Sequence, residues 1–185
     1  MIPATVRKIE DPTIEPVSLA DVKAQLSMLP DQTEFDAFLV DKIGTARELV
    51  EARLGRTIYA SRYRAKWTIE TKILTLPYPP LLVDEDHPLE ITCDGEAVPA
   101  EDLEVDADAW PGKVTISGSH YGPKVALYWA GLPAGSRISR RIQSAILLYA
   151  VHMFENRGVL ARDSSVELPQ AWETLLASES HSGGW

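Results

Sequence analysis

The stretch Ser139 to Gly158, SRRIQSAILLYAVHMFENRG, constrains this chain more than any other, because it is the longest uninterrupted apolar run with a helical period. Ile142, Ala145, Ile146, Tyr149 and Met153 recur at the spacing of one helix face, and Leu147, Leu148, Val151 and Phe154 widen that stripe well beyond it. A helix that is apolar on most sides must be covered on most sides. Ser139 reads as its N-cap and Gly158 as the residue just past its end, which gives a length of roughly 28 Å at ~1.5 Å per residue. It is too short, and too polar at both ends, to span a bilayer. The chain is therefore expected to fold around a long central helix over residues 138–157.

The flanking sequence supplies further helices. Ser18 and Asp21 form a capping box, and Leu19, Val22, Leu26 and Leu29 follow at helical spacing up to Pro30, so a short amphipathic helix is expected over residues 18–29. Thr33 and Asp36 offer a second box. Phe35, Phe38, Leu39, Ile43, Ala46, Leu49, Val50 and Leu54 then mark a longer helix over residues 33–54 that stops at Gly55. The short link between the two favours an antiparallel helical hairpin. Residues 1–16, with mixed charge and several prolines, read as an extended arm with no packing period of its own.

From Thr57 the period changes from 3.6 to 2. Strands are expected from Ile58 to Ile69, at Ile73–Leu76, on both sides of Asp94-Gly95, and at Leu103–Val105, Lys113–Ile116 and Lys124–Trp129. Asp94-Gly95 is a strong signal for a type I′ hairpin. Leu76-Pro-Tyr-Pro-Pro-Leu cannot lie in a central strand, since each proline removes a ladder donor, and reads as an edge or a crossing. The expected fold is thus α+β: a helical bundle, made of the hairpin and the long central helix, with an antiparallel β insertion over residues 57–130. A short C-terminal helix follows, begun by Leu168-Pro169, with Trp172, Leu175 and Leu176 on one face. One domain over residues 1–177 and a flexible tail over 178–185 complete the reading.

Chemistry is sparse. The net charge of −9 is spread along 185 residues, which argues against a nucleic-acid binder that works by gathering phosphates. Cys93 is the single cysteine, so no internal disulfide forms, and the spacing of the four histidines fits no zinc motif. No phosphate loop or dinucleotide fingerprint occurs. The N-terminus lacks the apolar core of a signal peptide, so export is not expected. His152 and Glu155, three apart on the central helix, are the pair from which a small metal-dependent enzyme would have to be built. Asp84, Glu85 and Asp86 read as a solvated turn. Arg137, Arg140 and Arg141 form the one basic cluster in the sequence, at the helix end where the dipole disfavours cations, so something acidic should face them. That acid lies in the same subunit or a neighbouring one, or it is a DNA phosphate; the last of these would make the chain a DNA-binding module.

Several stretches, taken in order, carry a resemblance: Pro16-Val-Ser-Leu-Ala-Asp-Val-Lys-Ala-Gln-Leu26, Ala46-Arg-Glu-Leu-Val-Glu-Ala-Arg-Leu-Gly-Arg56, Leu76-Pro-Tyr-Pro-Pro-Leu81, Tyr128-Trp-Ala-Gly131, and Ile138 to Gly158 with its Phe154-Glu-Asn-Arg157 ending. Their order and spacing over residues 16–177 resemble the head-tail connector (adaptor) proteins of long-tailed bacteriophages and of phage-derived gene transfer agents. The resemblance implies a non-enzymatic virion structural protein without a cofactor, assembled in the bacterial host cytoplasm. It would form a ring, commonly a dodecamer, between the portal protein and a tail-side connector or tail terminator protein. It would extend the channel through which double-stranded DNA passes without sequence-specific binding, and it would touch no membrane. Within that frame Leu168, Trp172, Leu175, Leu176 and Trp185 are candidates for the portal interface. Arg137, Arg140 and Arg141 are candidates for an intersubunit or DNA-channel contact.

Overall fold

The computed structural model describes residues 3, 5–156, 170–177 and 179. The chain divides into two compact units, one formed by residues up to Ile14 with Gly55–Ser136, the other by Glu15–Leu54 with the chain from Arg137 onward.

The first unit is β structure. Strands β1 (Thr5–Glu10), β2 (Ser61–Trp67), β9 (Lys124–Ala130), β5 (Glu90–Cys93) and β6 (Glu96–Ala97) lie side by side in that order, and β4 (Leu81–Leu82) joins the far end of β9. Strands β3 (Ile73–Leu76), β8 (Gly112–Ile116) and β7 (Leu103–Asp106) make a second sheet, and every ladder in both is antiparallel. Alternation decides the faces. Tyr63, Ala65, Trp67, Ile91, Cys93, Ala126, Tyr128 and Ala130 from the larger sheet share one core with Leu74, Leu76, Val114 and Ile116 from the smaller. The β5–β6 hairpin turns at Asp94 (φ 52°) and Gly95 (φ 90°), the pair of positive φ values that a type I′ turn requires. The arm expected at the N-terminus contains β1, paired with β2 from Thr5↔Lys66 to Glu10↔Arg62.

The second unit is helical. Helix α1 (Leu19–Gln25) opens with the expected box: the Asp21 amide donates to Ser18 Oγ at 3.1 Å, and the Ser18 amide donates to Asp21 Oδ2 at 3.1 Å. The Ser18 hydroxyl also donates to Asp21 Oδ2 at 2.6 Å, and this bond, with that from the Ser18 amide, holds the Asp21 carboxyl below the usual carboxylate range. Helix α2 (Asp36–Leu54) buries Leu39, Ile43, Ala46, Arg47 and Val50 at helical spacing. Helix α3 (Arg140–Glu155) buries Ile142, Ala145, Ile146, Ala150 and Met153, and Phe154 meets Phe35 and Phe38 edge-on at 5.3 and 6.1 Å. Helix α4 (Gln170–Ala177) packs on α3, where Trp172 lies 5.8 Å from Tyr149.

A helical bundle around one long central helix, as expected from the sequence, is not what forms. The chain is α+β, but its four helices among the described residues span 7, 19, 16 and 8 residues, and the longest is α2, not α3. Capping sets the limit on α3: Ser139 Oγ accepts from the Arg141 amide at 3.2 Å, and the Asn156 amide closes the other end on the His152 carbonyl. The β residues are also more than an insertion carried by helices. An antiparallel sheet with one apolar face needs a second layer, and here the smaller sheet supplies it. Helix α1 ends at Gln25 instead of continuing to residue 29, and Ser27 takes a positive φ of 57°. Helix α2 starts at Asp36 instead of 33.

Candidate functional site

Within the helical unit the candidate residues lie along α3 and α4. Arg137, Arg140 and Arg141 are all exposed at or just before the first turn of α3. For Arg141 the facing acid is Glu179. Its Oε1 accepts from Ser139 Oγ at 2.9 Å and stands 3.9 Å from Arg141 Nη1. A carboxylate there also suits the positive end of the helix dipole, as Arg141 does not. Arg140 lines a depression of about 500 Å³ together with Pro16, Val17, Asp21, Gln143 and Leu147. A second depression of about 310 Å³ shares Gln25, Ser144 and Leu147 with it and runs on to Leu148, Val151 and Leu175. The half-buried Leu147 and Leu148 of the wide apolar stripe are thus the floor of a surface groove.

Of the C-terminal candidates, Trp172 and Leu176 are buried at 3% and 0% exposure, while Leu175 is half-buried at the end of the groove. Leu168 and Trp185 lie outside the described residues. The indole N–H of Trp172 is buried and has no acceptor among the described residues. Burial also raises the pKa of Tyr149, whose ring stands between Trp172 and His152. His152 Nδ1 lies 3.1 Å from the Asn156 side-chain Nδ2, its Nε2 is buried without a partner among the described residues, and Glu155 is exposed. The described residues bring no third His, Cys, Asp or Glu to that pair. In the β unit, Asp84 Oδ1 accepts from the Asp86 and His87 amides at 3.0 and 2.9 Å and meets His87 Nδ1 at 2.7 Å. The bond to His87 is the main reason that its carboxyl lies below the usual range.

One arrangement escaped sequence reasoning. The outward positions of the larger sheet form rows set by register: Arg7, Arg64, Leu127 and Glu90 in one, Thr5, Lys66, Val125 and Thr92 in the next. Arg62, Arg64 and Lys66 alternate along β2, a period-two signal that marks a charged face. Arg7 joins them only through a pairing that no local pattern encodes.

No protein-family model and no curated protein matches the sequence. By structure, the chain is similar to one in the neck of an empty gene transfer agent particle computed with C6 symmetry, with a TM-score of 0.71, 17% identity and 94% of each chain covered. The chain has the fold of a gene transfer agent neck protein. A chain of the virion of a native gene transfer agent particle matches at a TM-score of 0.69, with 17% identity and 94% of each chain covered. One from the neck of the native particle, computed with C12 symmetry, matches at 0.63 and 15% identity, over 94% of this chain and 93% of the other. The likeness to gene transfer agents read from the sequence is therefore carried by the fold along nearly its whole length.

Proposed function

We propose that this chain is a virion structural protein, without enzymatic activity, that works in the neck between head and tail. Copies close a ring under the portal, the ring continues the DNA channel, and its far side receives a tail-side connector or tail terminator protein. The observation that carries this reading is the match of fold over 94% of both chains to a particle neck. Necks computed with C6 and C12 symmetry support repeated copies, and a dodecamer satisfies both. The mechanism is geometric. Identical heterologous contacts close the ring, and a net charge of −9 keeps passing DNA from adhering to its wall.

Residues 1–177 act as the connector body and 178–185 as the tail that reaches the portal, with Leu175 and Trp185 as anchors. Trp172 and Leu176 would join them only if α4 leaves α3. Arg137 and Arg140, exposed and without an ion-pair partner among the described residues, face a neighbouring copy or the channel.

The test is the mass of the purified chain by light scattering, alone and mixed with its cognate portal ring. A stoichiometric portal complex that is lost on deleting residues 178–185 supports the reading and locates the anchor. That deletion leaves α4, with its buried Trp172 and Leu176, in place. A chain that never joins the portal overturns the reading.

A further inference from the structure

The larger sheet turns an unusual face outward. Arg7 on β1 and Arg64 on β2 are register partners, and Lys66 follows Arg64 on the same face. Like charges set directly opposite each other across a ladder repel and weaken the pairing. All three are exposed, and among the described residues none has an ion-pair partner. Arg62, next in the row of alternate residues, is by contrast held by Glu10 and Glu90, each at 3.0 Å. Beside the free cations lies a depression of about 570 Å³, floored by Val125 and Leu127 and walled by Ile9, Arg64, Glu90 and Asp94. A chain of net charge −9 thus carries a local surplus of positive charge next to an apolar stripe.

The complement is on the same β unit. Residues 101–108, EDLEVDAD, hold five acids in eight positions, and β7 lies at the free edge of the smaller sheet. Glu104 and Asp106 are exposed, and like Arg64 and Lys66 they stand two residues apart on one face of a strand. Both pairs therefore repeat at roughly 6.6 Å. Among the described residues Glu101, Glu104, Asp106 and Asp108 have no ion-pair partner. The opposed patches lie on different sheets, so a contact between them joins unlike surfaces of two copies.

We propose that Arg7, Arg64 and Lys66 of one copy receive the acidic edge strand, Glu104 and Asp106, of a second copy of this chain. The proposal rests on the ring reading and names one of its contacts. A second copy fits better than nucleic acid. The apolar stripe of Val125 and Leu127 beside the three cations offers phosphate nothing, whereas a protein strand can cover it.

Arg64→Glu with Lys66→Glu, Glu104→Lys with Asp106→Lys, and all four together test it by light scattering at moderate salt, with circular dichroism to verify folding. The wild-type chain is expected to run as an oligomer and each reversed pair as the 20.4 kDa monomer, with the fourfold variant, which restores the net charge, recovering the oligomer. A wild-type oligomer that neither pair disturbs overturns this contact and leaves the ring reading standing. So does a wild-type chain that is monomeric alone yet joins the portal. Retention of duplex DNA that disappears with Arg64→Glu and Lys66→Glu, while mass is unchanged, overturns it in favour of phosphate.

Discussion

Tyr128 sits in the β core with its hydroxyl donating to the Pro77 carbonyl at 2.9 Å and its ring 5.6 Å from that of Tyr63. Burial, with Tyr63 and Tyr78 adding to it, pushes its pKa far above that of an exposed phenol. The unfolded chain therefore releases this proton first, near pH ~10. Its contribution to stability is whole below that pH and is lost as pH rises beyond it. Urea melts taken from about pH 8 to about pH 11 should show a midpoint that falls at the alkaline end. Tyr128→Phe should lower stability at neutral pH by about 1 kcal/mol, because the Pro77 carbonyl loses its donor, and should flatten the alkaline fall. An unchanged fall would assign it to Tyr59 and Tyr149, which burial also raises. Arg47 is a second buried case. Its side chain is 3% exposed, with Glu51 Oε2 at 2.9 Å and Glu15 Oε2 at 3.0 Å. Burial disfavours its charge most, yet Glu51 and Glu15 outweigh that and hold the guanidinium above its ordinary value. Arg47→Met takes an ion-pair partner from the buried Glu51 and should cost about 3–5 kcal/mol in denaturant melts, while adding Glu51→Leu should return part of it. A double variant as weak as the single one would mean that Arg47 acts through packing alone.

Helix α4 has 8 residues, too few to persist in water by itself, so its order depends on what Trp172 and Leu176 bury. Trp172→Ala should lower stability by about 3–5 kcal/mol in thermal melts. Trp172→Phe keeps a ring against Tyr149 and removes a buried N–H that has no acceptor among the described residues, so its loss should be far smaller. Equal losses would show that the indole N–H has a partner in solution. The face shared by Trp172, Leu175 and Leu176 was legible from spacing alone, as were the Ser18–Asp21 box, the Asp94-Gly95 turn and the Ser139 cap, because each is a signal within a few residues. Strand β1 was not. Thr5–Glu10 has no clear alternation, and its partners lie on β2, more than fifty residues away in sequence. The helix lengths differ from those the spacing predicts for a related reason. Apolar residues at helical spacing continue past Gln25 into Leu26 and Leu29, but Leu26 closes the helix and Lys23 reaches forward to the Pro30 carbonyl and Asp36. The relative weight of helix and sheet follows from that. Periodicity located most of the strands after Thr57, whereas their closure into two sheets around one core depends on pairings that no window of sequence contains.

In the proposed ring, copies of an acidic chain face a conflict between long-range and short-range charge. Each copy carries −9, and at low ionic strength, where the screening length is about 30 Å, whole copies repel across the distance that separates their centres. Near physiological salt that length falls to about 8 Å, so the repulsion between bodies is mostly lost while charges in contact still attract. At about 1 M salt it is about 3 Å, and exposed pairs such as Arg64 with Glu104 of a neighbour weaken too. Self-association should therefore peak at intermediate salt. Arg64→Glu with Lys66→Glu removes the attraction and adds to the repulsion, so that variant should lose the peak. Sedimentation velocity across the three salt ranges measures the profile. A mass that rises steadily with salt would mean that apolar surface, such as the Leu147–Leu148 groove floor, holds the copies together, because burial of apolar area does not weaken as charge is screened.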